Sequence, residues 1–154
     1  MVKTVSSLAE LRDIAQKFLI TLSTKAPKEQ GVLVGLSGDL GTGKTAFTKC
    51  VAELLGISET VTSPTFVLEK RYSIPEGSIV GRRFTKLIHI DAYRLNEGSE
   101  MNVLDWASTL ASGQNLILLE WPEQVKEALP KNMVNITFKY IDEGVRQISG
   151  DYIE

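Results

Sequence analysis

The residues best suited to chemistry form one run, Gly38-Asp39-Leu40-Gly41-Thr42-Gly43-Lys44-Thr45, which fits the pattern G-x-x-x-x-G-K-[ST] at every position. Glycines let the backbone curl until successive N–H groups converge on a single anion, and a helix starting at the end of the run aims its positive pole at the same point. Lys44 contributes a full charge directed at the β and γ phosphates of a nucleotide. The hydroxyl of Thr45 suits a Mg2+ ion that bridges them. A tight turn capping a helix would account for the glycines but not for the Lys-Thr pair after them. Gly38 to Thr45, with Ala46 behind them, are therefore the expected nucleotide-binding stretch.

Such a site also needs a carboxylate on the metal side, and open α/β sheets gather ligand-binding groups at the carboxyl ends of their strands. Asp91 follows the run Leu87-Ile88-His89-Ile90, and Glu120 follows Leu116-Ile117-Leu118-Leu119, so each stands at such an end. Both are expected to face the phosphates; a helix cap or a solvated turn is the competing role for each. Thr62-Ser63-Pro64-Thr65 comes after the phosphate-binding helix, where switch loops of nucleotide hydrolases carry a hydroxyl that senses Mg2+ or the γ-phosphate. A plain polar turn accounts for the same residues. Trp121 fits stacking on a base or a partner, or partial burial, and the residues alone favour burial. Arg94 fits a phosphate contact or a surface ion pair equally well. His89, inside an apolar strand, reads as a hydrogen-bonded structural residue. Cys50 falls on the phosphate-binding helix with no neighbouring His or Arg to activate its thiol.

The elements that must hold these residues follow from hydropathy. Val2 to Val5 is short and extended; Ser7 and Glu10 then have capping-box spacing, and Leu8, Leu11, Ala15, Phe18, Leu19 and Leu22 mark one helix face ending before Lys25-Ala26-Pro27. Val32 to Leu36 is apolar on both faces, as in the middle of a parallel sheet. The phosphate-binding helix spans about Lys44 to Leu55, with Gly56 ending it. A strand is expected over Phe66 to Tyr72, then a mobile excursion over Ser73 to Arg83, which contains Pro75, Gly77 and Gly81. A helix capped by Ser99 should turn Val103, Trp106, Ala107 and Leu110 inward and stop near Gly113. After Glu120-Trp121-Pro122-Glu123 a short helix runs to Leu129. Val134, Ile136, Phe138 and Tyr140 alternate, turn at Asp142-Glu143-Gly144 and return through Val145 to Ile148 as a hairpin. Strands separated by helices make this an α/β chain with some antiparallel pairing.

Composition bounds the partners. A chain of 154 residues with 43% hydrophobic and 23% charged residues is expected to fold as one domain, residues 1–154. Its net charge of −2 gives no electrostatic basis for gripping duplex DNA or RNA, and any nucleic acid contact would have to be local or supplied by a partner. No apolar run is long enough for a membrane helix, and Met1 to Ser7 lack signal-peptide order, so the expected location is the cytoplasm. One Cys and one His rule out an internal disulfide and make structural zinc improbable.

No Asn-Lys-x-Asp signature for guanine occurs, which favours ATP. Small-molecule kinases of similar length need an arginine-bearing lid, for which Arg82 and Arg83 are the only candidates. A nucleotide-gated binding module without turnover is the third possibility.

Four segments in order, Gly38 to Thr45, Thr62-Ser63-Pro64-Thr65-Phe66, His89-Ile90-Asp91-Ala92-Tyr93-Arg94-Leu95 and Glu120-Trp121-Pro122-Glu123, together resemble the bacterial TsaE (YjeE) family. The resemblance runs from about Leu8 to the C-terminal strands. It implies a P-loop NTPase-like three-layer sandwich with a mixed, mainly parallel central sheet and a C-terminal hairpin. It also implies a weak Mg2+-dependent ATPase that acts with the TsaB–TsaD pair in N6-threonylcarbamoylation of adenosine 37 of tRNA, gating TsaD and touching tRNA only through the complex. By matching position, Lys44 and Thr45 would hold phosphate and Mg2+, Thr65 or its neighbours would form the switch, Asp91 and Glu120 would serve the metal or the hydrolytic water, and Trp121 would lie at the nucleotide. The stretch Ser73 to Arg83 is longer than the tight hairpin expected there.

Overall fold

The computed structural model describes residues 1–61 and 69–154. Thr62, Ser63 and Thr65, and the first part of the strand expected over Phe66 to Tyr72, lie outside the described residues. Seven strands form one sheet in the order β1-β7-β6-β2-β5-β4-β3. Its centre, β6 (Val134–Asp142), β2 (Val32–Ser37), β5 (Asn115–Glu120) and β4 (Lys86–Asp91), is parallel throughout. β3 (Glu69–Ser73) adds to β4 antiparallel, and β7 (Val145–Gly150) pairs antiparallel with β6 and with β1 (Val2–Val5). The expected hairpin is present, and its second strand also takes in the N-terminal strand across the sheet edge.

Each face is covered, giving three layers. On one, α1 (Leu8–Lys25) and α2 (Lys44–Leu54) pack Phe18, Leu22, Phe47 and Val51 against Val34, Leu36, Leu87, Leu116 and Leu118. On the other, Leu33, Ile88, Ile90, Ile117 and Leu119 meet Met101, Trp106 and Val125 from short helical turns. Residues of β2 and β5 alternate between these two cores, which is why both strands read as unbroken apolar runs. Ser7 caps α1 by accepting from Glu10 N at 3.1 Å, while Glu10 reaches back to the Ser6 hydroxyl at 3.0 Å. Leu8, expected inward, is 72% exposed, and Ile14 takes its place on the buried face, because the inward stripe begins only after the first turn.

Two further expectations give way. The helix foreseen from Ser99 to Gly113 is two pieces, a 3-10 segment Gly98–Leu104 and α3 (Trp106–Ala111), divided at Asp105, whose φ of 53° is left-handed. Its cap is Glu97, paired with Glu100, and Thr109 turns inward where Ala107, foreseen inward, is exposed. The Ser73 to Arg83 excursion is tied down: Ile74 and Val80 enter the core, as does Phe84 just after it, and Arg83 donates to the carbonyls of Gly113 and Pro27. It joins the end of β3 to the start of β4, at the amino ends of the parallel strands, opposite the phosphate loop.

Candidate functional site

β2 ends at Ser37, and the chain turns at once through Gly38 to Gly43 into α2. The curl depends on glycine at particular points. Gly38 has φ 147°, and a Cβ there would meet Phe138 O at 2.5 Å; Gly43, the residue before α2, has φ 106°. Thr42 folds its hydroxyl back onto Asp39 O at 2.7 Å and is almost wholly buried, so it braces the loop from within.

The loop, the start of α2 and the ends of β4 and β5 enclose a cavity of about 450 Å3. Leu40, Gly41, Gly43, Lys44, Thr45 and Ala46 form one wall, and Asp91, Glu120 and Trp121 the other, joined by Tyr93 and Arg94. Gly38, Asp39 and Thr42 lie outside that lining and shape the loop instead. Leu40, at the rim, is 70% exposed.

The two acids are brought together by strand register. Asp91 pairs with Glu120 across β4 and β5, and Glu120 is opposite Leu36 of β2. Parallel neighbours in register point to the same side, here the side on which α2 packs. Asp91 accepts from Tyr93 N at 2.9 Å, so it holds a turn and lines the cavity at once. Glu120 is 3% exposed and is no solvated turn acid; its Oε2 lies 2.6 Å from His89 Nε2. The structural hydrogen bond expected of His89 is therefore made to a candidate site acid.

Lys44 is 4% exposed, donates to Gly38 O and lies with Nζ 3.7 Å from the centroid of the Trp121 ring. Burial pushes its pKa below the usual 10.5, against the pull of Glu120, Glu123, Asp91 and Asp39, which raise it. Trp121 takes a left-handed φ of 61° between β5 and the turn Pro122–Ala128. That turn in the backbone faces the indole to Lys44, and Tyr93 meets it at 5.0 Å between ring centroids. Trp121 also packs on the second core, so the partial burial expected of it is present, while its ring also lines the cavity.

Tyr93 and Glu123 also bear on the site, though neither stands out by residue type or spacing. Tyr93 was legible only as a member of the His89 to Leu95 segment. Glu123, 3.4 Å from Ser37 Oγ, adds to the negative field on Lys44, and only the compact Glu-Trp-Pro-Glu string hinted at it. Among the described residues, no three His, Cys, Asp or Glu side chains converge on a metal-sized centre. A hydroxyl and two carboxylates beside a phosphate cradle still suit Mg2+, which keeps waters and takes phosphate oxygens as ligands.

Beside this cavity, sharing Thr45 and Ala46 with it, runs a mainly apolar groove of about 560 Å3 between the start of α1 and the length of α2, lined by Leu8, Ala9 and Cys50 together with Arg12, Lys49 and Glu53. Burial raises the pKa of the Cys50 thiol.

The chain has recognisable relatives among known proteins. Residues 5–148 match the family model described as threonylcarbamoyl adenosine biosynthesis protein TsaE. The chain is 38% identical over 126 residues to the tRNA threonylcarbamoyladenosine biosynthesis protein TsaE of Bacillus subtilis, covering 82% of this chain and 73% of that one. The protein of the same name from Rickettsia bellii is 31% identical over 151 residues, covering 96% and 94%. The crystal structure of Bacillus subtilis YdiB superposes with a TM-score of 0.72 at 28% identity, over 97% of this chain and 83% of that one.

Proposed function

The chain belongs to the TsaE family, and from that premise we propose that it binds Mg2+-ATP in the cavity between the phosphate loop and the ends of β4 and β5. It hydrolyses the nucleotide weakly, faster when engaged by the TsaB–TsaD pair, as its part in tRNA threonylcarbamoyladenosine synthesis in the cytoplasm. The observation that carries this reading is the register of Asp91 with Glu120, which brings both acids into the lining of the cavity that Lys44 and Thr45 also line.

Lys44 and the loop N–H groups bind the triphosphate, and the Thr45 hydroxyl, Asp91 and Glu120 would hold the metal or its waters. Bound there, Mg2+ supplies neutralisation of the charge that develops on the phosphate oxygens. The four acids acting on Lys44 outnumber it, so a bare triphosphate meets a repulsive field. Glu120, withdrawn from bulk water and tethered to His89, is the better placed acid to orient an attacking water. Asp91, partly exposed and fixed by a backbone N–H, suits the metal side. Trp121 would part from Lys44 as phosphate arrives and cover the nucleotide, and the apolar groove beyond Ala46 gives the base a place to lie. Thr65, with Thr62 and Ser63, is proposed as the hydroxyl-bearing switch. Arg83, bound at the far end of the sheet, offers no kinase lid.

Labelled ATP tests the reading. Free phosphate release that rises when TsaB–TsaD is added supports it, and transfer of label to a metabolite, or no turnover above background with the pair present, refutes it.

A further inference from the structure

We propose that His89 is a positioning residue for Glu120: its ring fixes one carboxylate oxygen so that the other is presented to the cavity. The proposal rests on the reading of Glu120 as an acid of the nucleotide site. His89 is fully buried on β4, between Ile88 and Ile90, and lies two residues before Asp91 on the same sheet face. Its Nε2 meets Glu120 Oε2 at 2.6 Å, while Glu120 also lines the cavity. His89 Nδ1 is buried with no hydrogen-bond partner among the described residues.

That orphan nitrogen decides where the proton is. An N–H at Nδ1 would be a buried donor with nothing to donate to, whereas a bare nitrogen is the cheaper group to leave unpaired. Nε2 is therefore the nitrogen that carries the proton and donates to Glu120 Oε2. Packing alone does not call for imidazole at this point: an apolar side chain would fill the slot without the unpartnered Nδ1, and what it would lose is the partner of the buried Glu120 oxygen. What imidazole adds is restraint on a long, flexible side chain. Of the two register-paired acids, Asp91 accepts from Tyr93 N and Glu120 is held by His89.

Nitrogen-15 spectra of the imidazole in the nucleotide-free wild-type protein read the tautomer without any variant or turnover. Protonated Nε2, with a proton slow to exchange and shifted in Glu120→Gln, is expected; a proton on Nδ1 overturns the proposal. In partner-stimulated phosphate release, His89→Leu should lower kcat about tenfold or more, the usual effect of losing such a support, at nearly unchanged KM for Mg2+-ATP. His89→Gln, which keeps a donor near the same point, should restore much of it. His89→Leu should add nothing to Glu120→Gln. Wild-type kcat in His89→Leu beside a slow Glu120→Gln would overturn positioning alone. Wild-type kcat in Glu120→Gln would remove Glu120 from the chemistry and this proposal with it.

Discussion

The Lys44 ammonium lies over the face of the Trp121 indole, 3.7 Å from the ring centroid. A cation so close to an aromatic face is attracted by the ring quadrupole, by about 0.5–2 kcal/mol, and a triphosphate competes for the same cation. Trp121 should therefore report nucleotide directly. The other tryptophan, Trp106, is buried in the second core and donates to Ala128 O at 2.8 Å, so Trp106→Phe removes its background. Mg2+-ATP should change the emission of that variant; unchanged emission at saturating nucleotide would separate Trp121 from the site.

Lys44→Ala removes a point charge and its hydrogen bonds to phosphate together. At about 1.5–3 kcal/mol for hydrogen bonds to a charged group, affinity for Mg2+-ATP should fall roughly ten- to a hundredfold in a calorimetric titration. Unchanged affinity would mean that phosphate is held elsewhere.

If the groove at Leu8, Ala9 and Cys50 receives the base, filling it should separate base from phosphate recognition. Ala9 is exposed, so Ala9→Trp can be made without disturbing the core. It should weaken ATP while leaving inorganic tripolyphosphate unaffected in competition binding. Equal loss for both ligands would place the base outside the groove.

Far from the site, the exposed Glu127 carboxylate accepts from Gly98 N, which holds its pKa below the usual 4.5. The folded pKa lies below the unfolded one, so the unfolded chain takes up the proton first as pH falls. The contribution to stability is complete above 4.5 and lost as pH drops through the folded value. Glu127→Gln should lower Tm at neutral pH, and the gap to wild type should narrow below that window. A gap independent of pH would assign the effect to something other than the carboxylate.

Much of this architecture was legible in residue order, and the misses share a physical origin. The loop glycines, Lys44, Thr45 and the strand-end acids were readable because their roles depend on local backbone geometry and on strands whose two buried faces show as unbroken apolar runs. Asp105 was not, since Asp enters the left-handed region more readily than most side chains but helical periodicity does not mark where it does. Leu8 kept the helical spacing but fell beyond the edge of the core. The pairing of β1 with β7 joins the two ends of the chain, a contact that no local pattern encodes. His89 was recognisable as hydrogen-bonded; that its partner is Glu120 required the register of β4 and β5.

In the proposed site a triphosphate is held by Lys44 among several acids, with a divalent cation between them. ATP titrated into the wild-type protein with Mg2+ and again with EDTA tests this most directly. Saturable binding with Mg2+ that weakens at least about tenfold in EDTA is predicted, in line with unpaired like charges at close range. No uptake at millimolar ATP with Mg2+, or equal affinity in EDTA, would contradict it.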